Sequence, residues 1–232
     1  MRKLCGLLTM VGLVSTHAFA YTCIGSCQLG KEKVEYINSA GNTQLNGTTV
    51  TGNVHVAGKL IAEAARMNGL YSAGKTDLTH TIIKENTNIA GKATFQSSTF
   101  NGEVMIAAKA EVTDAKFNNQ LKIAGKAELI NSRMMGQTKI AGVLVAKHSV
   151  FEETVSIAAE KAIFSDSKLD KTLIIESKDK TPIVELICGT LVKGDIIFKG
   201  KSGIVKTEQP SKINFKVKNG KVESVNNPTC AK

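Results

Sequence analysis

Along most of the chain apolar and polar positions alternate with a period of two, and this alternation is itself repeated with a longer period. The marker of the longer period is a tripeptide, Ala-Gly-Lys or a close variant, that begins at Ala40, Ala57, Ala73, Ala90, Ala107, Ala124, Ala141 and Ala158. Its intervals are 17, 16, 17, 17, 17, 17 and 17 residues. Units this short cannot bury their own apolar residues and must stack on their neighbours.

Counting from each repeated Ala, three apolar pairs recur. Positions three and one before it hold, for example, Val104 with Ile106 and Leu121 with Ile123. Positions three and five after it hold Ala93 with Phe95 and Ala127 with Leu129, and the fifth position continues to Ala146 and Ile163. Positions eight and ten after it hold Ser98 with Phe100, Ala115 with Phe117 and Ser149 with Phe151. An i, i+2 pair points to one side of an extended strand, so each repeat predicts three short inward-facing strands. Corners are expected at the Ala-Gly step (Gly58, Gly74, Gly91) and at Gly52, Gly69, Gly102, Asn119 and Gly136, where Gly and Asn tolerate positive φ.

The pattern predicts an all-β, three-sided parallel solenoid with one coil of about 17 residues per repeat. A helical reading fails because the apolar spacing is two rather than three or four, and because Gly and β-branched residues recur in every unit. An antiparallel sandwich would not keep identical residues in phase over eight repeats. Right-handed coiling follows from the general preference of parallel crossovers. At ~4.8 Å per coil, eight coils make a rod of roughly 40 Å whose sequence columns become physical ladders.

The segments around the repeats are read in the same way. Residues 1–20 carry Arg2 and Lys3, an apolar run from Leu4 to Val14 and Ala18-Phe19-Ala20, the form of a secretory leader whose apolar run is too short to cross a bilayer. Residues 21–36 are expected to cap the first coil, 37–175 to form the repeats, and 176–232 to form modified final coils or a β-cap with a tail. No other stretch is apolar enough to span a membrane. Export makes Cys23, Cys27, Cys188 and Cys230 candidates for disulfides. Of three possible connectivities, Cys23 with Cys27 and Cys188 with Cys230 joins cysteines at the same end of the rod. A zinc site is the other use of these thiols, but no second close pair or nearby His completes it.

Two short runs, Val50-Thr51-Gly52-Asn53-Val54 and Val192-Lys193-Gly194-Asp195-Ile196, resemble the Gly-Asn/Asp-Val/Ile steps of the bactofilins, the polymer-forming bacterial cytoskeletal family. The resemblance covers roughly residues 37 to 198. It implies a right-handed triangular β-helix of similar coil length and end-to-end self-assembly through the terminal coils. The leader and the terminal cysteines depart from that family.

The chain is basic, with a formal net charge of +10, and part of that charge is patterned. Lys59, Lys75, Lys92, Lys109 and Lys126 occupy one column in five successive repeats. Such a ridge suits a linear polyanion, an anionic envelope polysaccharide above all; as solvated corner charges the same lysines keep a repetitive β protein soluble. Nucleic acid is disfavoured by the lack of Trp and by aromatics assigned to inward columns, which leaves little for bases to stack on. His80 and His148 share a column four coils apart, about 19 Å, so they cannot share a metal. Carboxylates at Glu111 and Glu128, and at Glu152, Glu153 and Asp170, offer the ingredients of a carbohydrate-active enzyme, but the repeats carry no insertions from which to build a cleft. The sequence therefore points to an exported, non-enzymatic structural or binding module without a cofactor, possible homo-oligomerisation through its end coils included.

Overall fold

The computed structural model describes residues 19–208, 215–225 and 230. All but Phe19 and Ala20 of the expected leader, residues 209–214 and most of the tail from Asn226 lie outside these residues. The described chain is all-β, with 28 strands joined into one continuous sheet in which every pairing is parallel. It winds through about 12 turns, a rod of roughly 55 Å at ~4.8 Å per turn. Among the described residues no helix is long and apolar enough to cross a membrane.

Three strands per coil build three faces. The first face stacks Thr87–Ile89, Val104–Ile106, Leu121–Ile123, Thr138–Ile140 and Val155–Ala158. The second stacks Thr76–Thr79, Ala93–Gln96, Ala110–Thr113, Ala127–Ile130 and Leu144–Lys147. The third stacks two-residue strands such as Thr99–Phe100, Lys116–Phe117 and Arg133–Met134. Across coils the register equals the sequence period: Val104 lies between Thr87 and Leu121, Val112 between Phe95 and Leu129, and Phe117 between Phe100 and Met134.

The alternation puts the expected columns inside. Val54, Leu70, Phe95, Phe100, Val104, Phe117, Leu129 and Phe151 are all buried, and aromatic rings touch along the axis, with Phe95 4.6 Å from Phe100 and Phe151 5.6 Å from Phe164. Among the described residues every buried polar side chain is Ser or Thr; no charge enters the core.

One column is corrected. Ile163 does not continue the column of Leu129 and Ala146. Ala146 pairs with Phe164, and Phe164 is the buried residue. The corner at Ala158-Ala159-Glu160-Lys161 takes one extra residue, and because side-chain direction has a period of two, a one-residue slip exchanges inside for outside. Beyond Ser177 the longer connection to Ile183 is absorbed in the same manner, since Ile183–Ile187 resumes pairing with Lys161–Ser165 and stacking continues to Gly220–Ser224.

The corners obey two different constraints. At Gly58, φ is 149°, and a Cβ there would lie 2.1 Å from the carbonyl oxygen of Gly41. At Gly74 only the second constraint operates, a Cβ meeting the Gly58 carbonyl at 2.0 Å, so glycine is required by the approach of successive coils. A further corner, seven residues after the Ala, is left-handed without glycine: His80, Ser97, Asp114, Asn131 and His148 have φ between 48° and 55°. Asn, Asp and His are the side chains that visit this region most readily.

Just after that corner a ladder of hydroxyls closes each coil onto the next. The Ala115, Ser132 and Ser149 amides donate to the hydroxyls of Ser132, Ser149 and Ser167 at 3.1, 3.2 and 3.2 Å. Each of those hydroxyls also donates to the carbonyl two residues before it, as Ser132 does to Ile130 at 2.8 Å.

Candidate functional site

Lys59, Lys75, Lys92, Lys109 and Lys126 stand in register on five consecutive coils. The amides of Leu60, Thr76, Ala93 and Ala110 donate to the carbonyls of Lys75, Lys92, Lys109 and Lys126 on the following coil at 2.8 to 2.9 Å. Two residues further along the chain, on the same outward side, runs a column made of Asp77, Thr94, Glu111 and Glu128. Lys75 reaches Asp77 at 2.8 Å, Lys92 reaches Glu111 at 2.7 Å, and Lys109 also bonds Glu111. Lys59 and Lys126 have no ion-pair partner among the described residues. The ridge is therefore a mixed ladder with a positive excess, and three of its five cations lean toward carboxylates.

The ion pairs decide what the carboxylates can do. Hydrogen bonds from Lys109 and Lys92 hold the Glu111 carboxyl down at about 2, and Glu111 in turn raises the Lys109 ammonium above its ordinary value. Asp170 is lowered by hydrogen bonds from Lys193 at 2.9 Å and Lys168 at 3.1 Å. Glu152 is engaged by Arg133, while Glu153 is exposed. A general acid needs a carboxyl that keeps its proton near neutral pH; Glu111 and Asp170 are pushed the other way. Glu111 and Glu128 do face each other on adjacent coils, but as members of the charged ladder.

The histidines fall in separate places. His80 and His148 occupy the left-handed corner, where His148 Nδ1 lies 2.8 Å from Asp166 on the next coil. His55 stacks on Tyr71, with ring centroids 4.8 Å apart. The cysteines meet in the expected pairs: Cα atoms of Cys23 and Cys27 are 6.3 Å apart and those of Cys188 and Cys230 5.5 Å, both within bridging range. Glu208 approaches the second pair, accepting from the Cys188 amide. Cys188, Glu208 and Cys230 are a cluster with ligand-type atoms within 4.8 Å of one another; bridged as a disulfide, the two thiols would offer no thiolate to a metal.

A concavity lies elsewhere. A trough of about 1250 Å³ runs along the outside of the first face, from Thr22, Cys23 and Ile24 to Ile174 and Lys199. Its floor is the repeated alanine column, and its wall is the outward column two residues earlier, which includes His55, Tyr71, Met105, Lys122 and Lys139. The lysine ridge is not part of the trough lining. In the sequence the repeated alanine serves as a phase marker; the signal that it also lines a surface is that it alternates outward, one residue after a buried column, and is nevertheless apolar in every coil.

Compared with family models, with curated proteins and with solved structures, the chain matches none; the fold rests on its strand pairing, and the bactofilin likeness rests on the short Gly-Asn/Asp steps.

Proposed function

We propose that the protein is an exported, non-enzymatic rod that serves as a structural or binding module of the cell envelope or exterior, lying along an anionic polymer and joining end to end. The observation that carries this reading is the register of five ridge lysines on consecutive coils, at a repeat of ~4.8 Å. A linear polyanion also presents its charges at a regular interval, and a rigid ladder meets it without loss of conformational entropy on the protein side. Lys59 and Lys126, free of carboxylate partners among the described residues, supply its uncompensated charge. Export is supported by the leader-like segment and the two cysteine pairs. Assembly, the behaviour implied by the likeness to bactofilins, is supported by the terminal strand Phe19–Leu29, which among the described residues pairs on one side only, with Lys33–Asn46. A free parallel edge of this length is a template for another chain.

Light scattering of the oxidised protein, alone and with sodium alginate across a salt series, tests the reading. Growth with alginate that fades as salt rises supports the ridge, and filaments that persist in salt support joining through the coil ends. A monomer indifferent to alginate at low salt overturns both.

A further inference from the structure

The trough on the first face makes contacts of a different kind. Its surface is mostly carbon, and three of the large apolar side chains that the rod leaves exposed face it: Ile24 at 90%, Tyr71 at 40% and Met105 at 42%. Exposed apolar side chains gathered in one concavity mark a contact surface. Charge is segregated along it. The wall column is Tyr71, Asn88 and Met105 on three coils and then Lys122 and Lys139 on the next two. Lys122 is held by Glu103 at 2.5 Å; Lys139 has no ion-pair partner among the described residues.

From these features we propose that the trough holds the hydrocarbon chain of a single amphiphile whose anionic head sits at Lys139. The distance from Lys139 to Tyr71 is four coils, ~19 Å, and one acyl chain spans about 15 Å, half a bilayer core. A peptide strand cannot add here, because the strands beneath the trough, Leu121–Ile123 for instance, are already paired on both sides. A glycan would need donors and acceptors for its hydroxyls along its whole length; from Tyr71 to Lys139 the polar lining is limited to Tyr71, Ser72, Asn88 and the two lysines, among alanines, isoleucines and Met105. A chain of methylenes needs apolar surface and nothing else. This site does not depend on the lysine ridge and stands or falls separately from it.

The test is calorimetric titration of the oxidised protein with decyl, dodecyl and tetradecyl phosphate below their micelle concentrations, with inorganic phosphate as competitor. Saturable binding is expected, tightening roughly two- to fourfold per added methylene, fourfold being the full-burial limit, and indifferent to inorganic phosphate. Ala107→Glu, on the exposed floor, should weaken dodecyl phosphate at least tenfold with an unchanged melting temperature. If that variant fails to fold, Ala90→Gln one coil away takes its place. Lys139→Gln should weaken dodecyl phosphate several-fold and leave neutral dodecyl maltoside unaffected. Affinity independent of chain length, full competition by inorganic phosphate or wild-type binding by Ala107→Glu would each overturn the proposal. So would binding only to phosphatidylcholine/phosphatidylglycerol vesicles, or a dimer that Ala107→Glu breaks without any binding of dodecyl phosphate.

Discussion

Phe100 and Phe117 occupy the same column on adjacent coils, with ring centroids 5.0 Å apart and planes 5° from parallel, and both are fully buried. Stacking of identical positions is the main packing motif of this core, and it makes each large side chain the floor of the next. Phe117→Ala removes a ring that meets Phe100 and Phe95 on one side and Met134 in the next coil. Rigid coils on both sides limit collapse into the vacated space. The expected cost is about 3 to 5 kcal/mol, read by chemical denaturation; a loss below about 1 kcal/mol would mean that the coils relax far more than their backbone ladders allow.

Thr87 predicts the opposite sign. It sits in the core between Leu70 and Val104, is fully buried, and its hydroxyl has no hydrogen-bond partner. Burying a hydroxyl without a partner is unfavourable, and valine has nearly the same shape without that penalty. Thr87→Val should therefore stabilise the rod by about 1 kcal/mol. Thr138, between Leu121 and Val155 with the same unpartnered hydroxyl, should respond alike. Destabilisation by either change would show that a water reaches these hydroxyls.

Much of this was legible because the period-two alternation and the repeat together fix which side chains meet. The columns of Val104, Val112 and Phe117 needed no more than counting. The failures share one cause, which is that corners do not follow the alternation. The extra residue after Ala158 moved Phe164 into the place that counting gave to Ile163. The left-handed corner at His80, Asp114 and Asn131 carries no glycine and so left no obvious mark. The glycine columns were legible as bends, but at Gly74 the requirement is room for the Gly58 carbonyl. The trough was hidden for a related reason: counting tells that Ala90 and Ala107 face outward, but not that the surface above them is concave.

Glu111 gives the chain a pH dependence whose direction follows from its partners. Lys109 and Lys92 lower its carboxyl from 4.5 to about 2. A carboxyl lowered on folding adds stability that is complete above its unfolded value and is lost as pH falls from about 4.5 through about 2. Because the group is largely solvated, the amount is small. Carbon-detected NMR titration should find Glu111 ionised well below the ordinary glutamate range, and Lys92→Gln with Lys109→Gln should move its midpoint up toward 4.5. A wild-type midpoint already near 4.5 would mean that the two ion pairs do not persist in solution.

The ridge can be separated from general basic charge by its salt dependence. Replacing Lys75, Lys92 and Lys109 with Gln removes three adjacent cations and also releases Asp77 and Glu111 from their ion pairs, so the local field reverses rather than fades. These lysines are solvated and make no core contact, so the melting temperature should change little. Binding to alginate should weaken steeply, and the slope of log affinity against log salt should shrink by about two, as expected when three ionic contacts are lost. An equal number of substitutions on the third face, at Lys116, Arg133 and Lys168, alters net charge to the same extent but leaves the ladder intact. If both triple variants lose affinity equally, the attraction belongs to the net charge of +10 and not to the register of the ridge. If only the ridge variant does, the spacing of one lysine per coil is the element that the polymer reads.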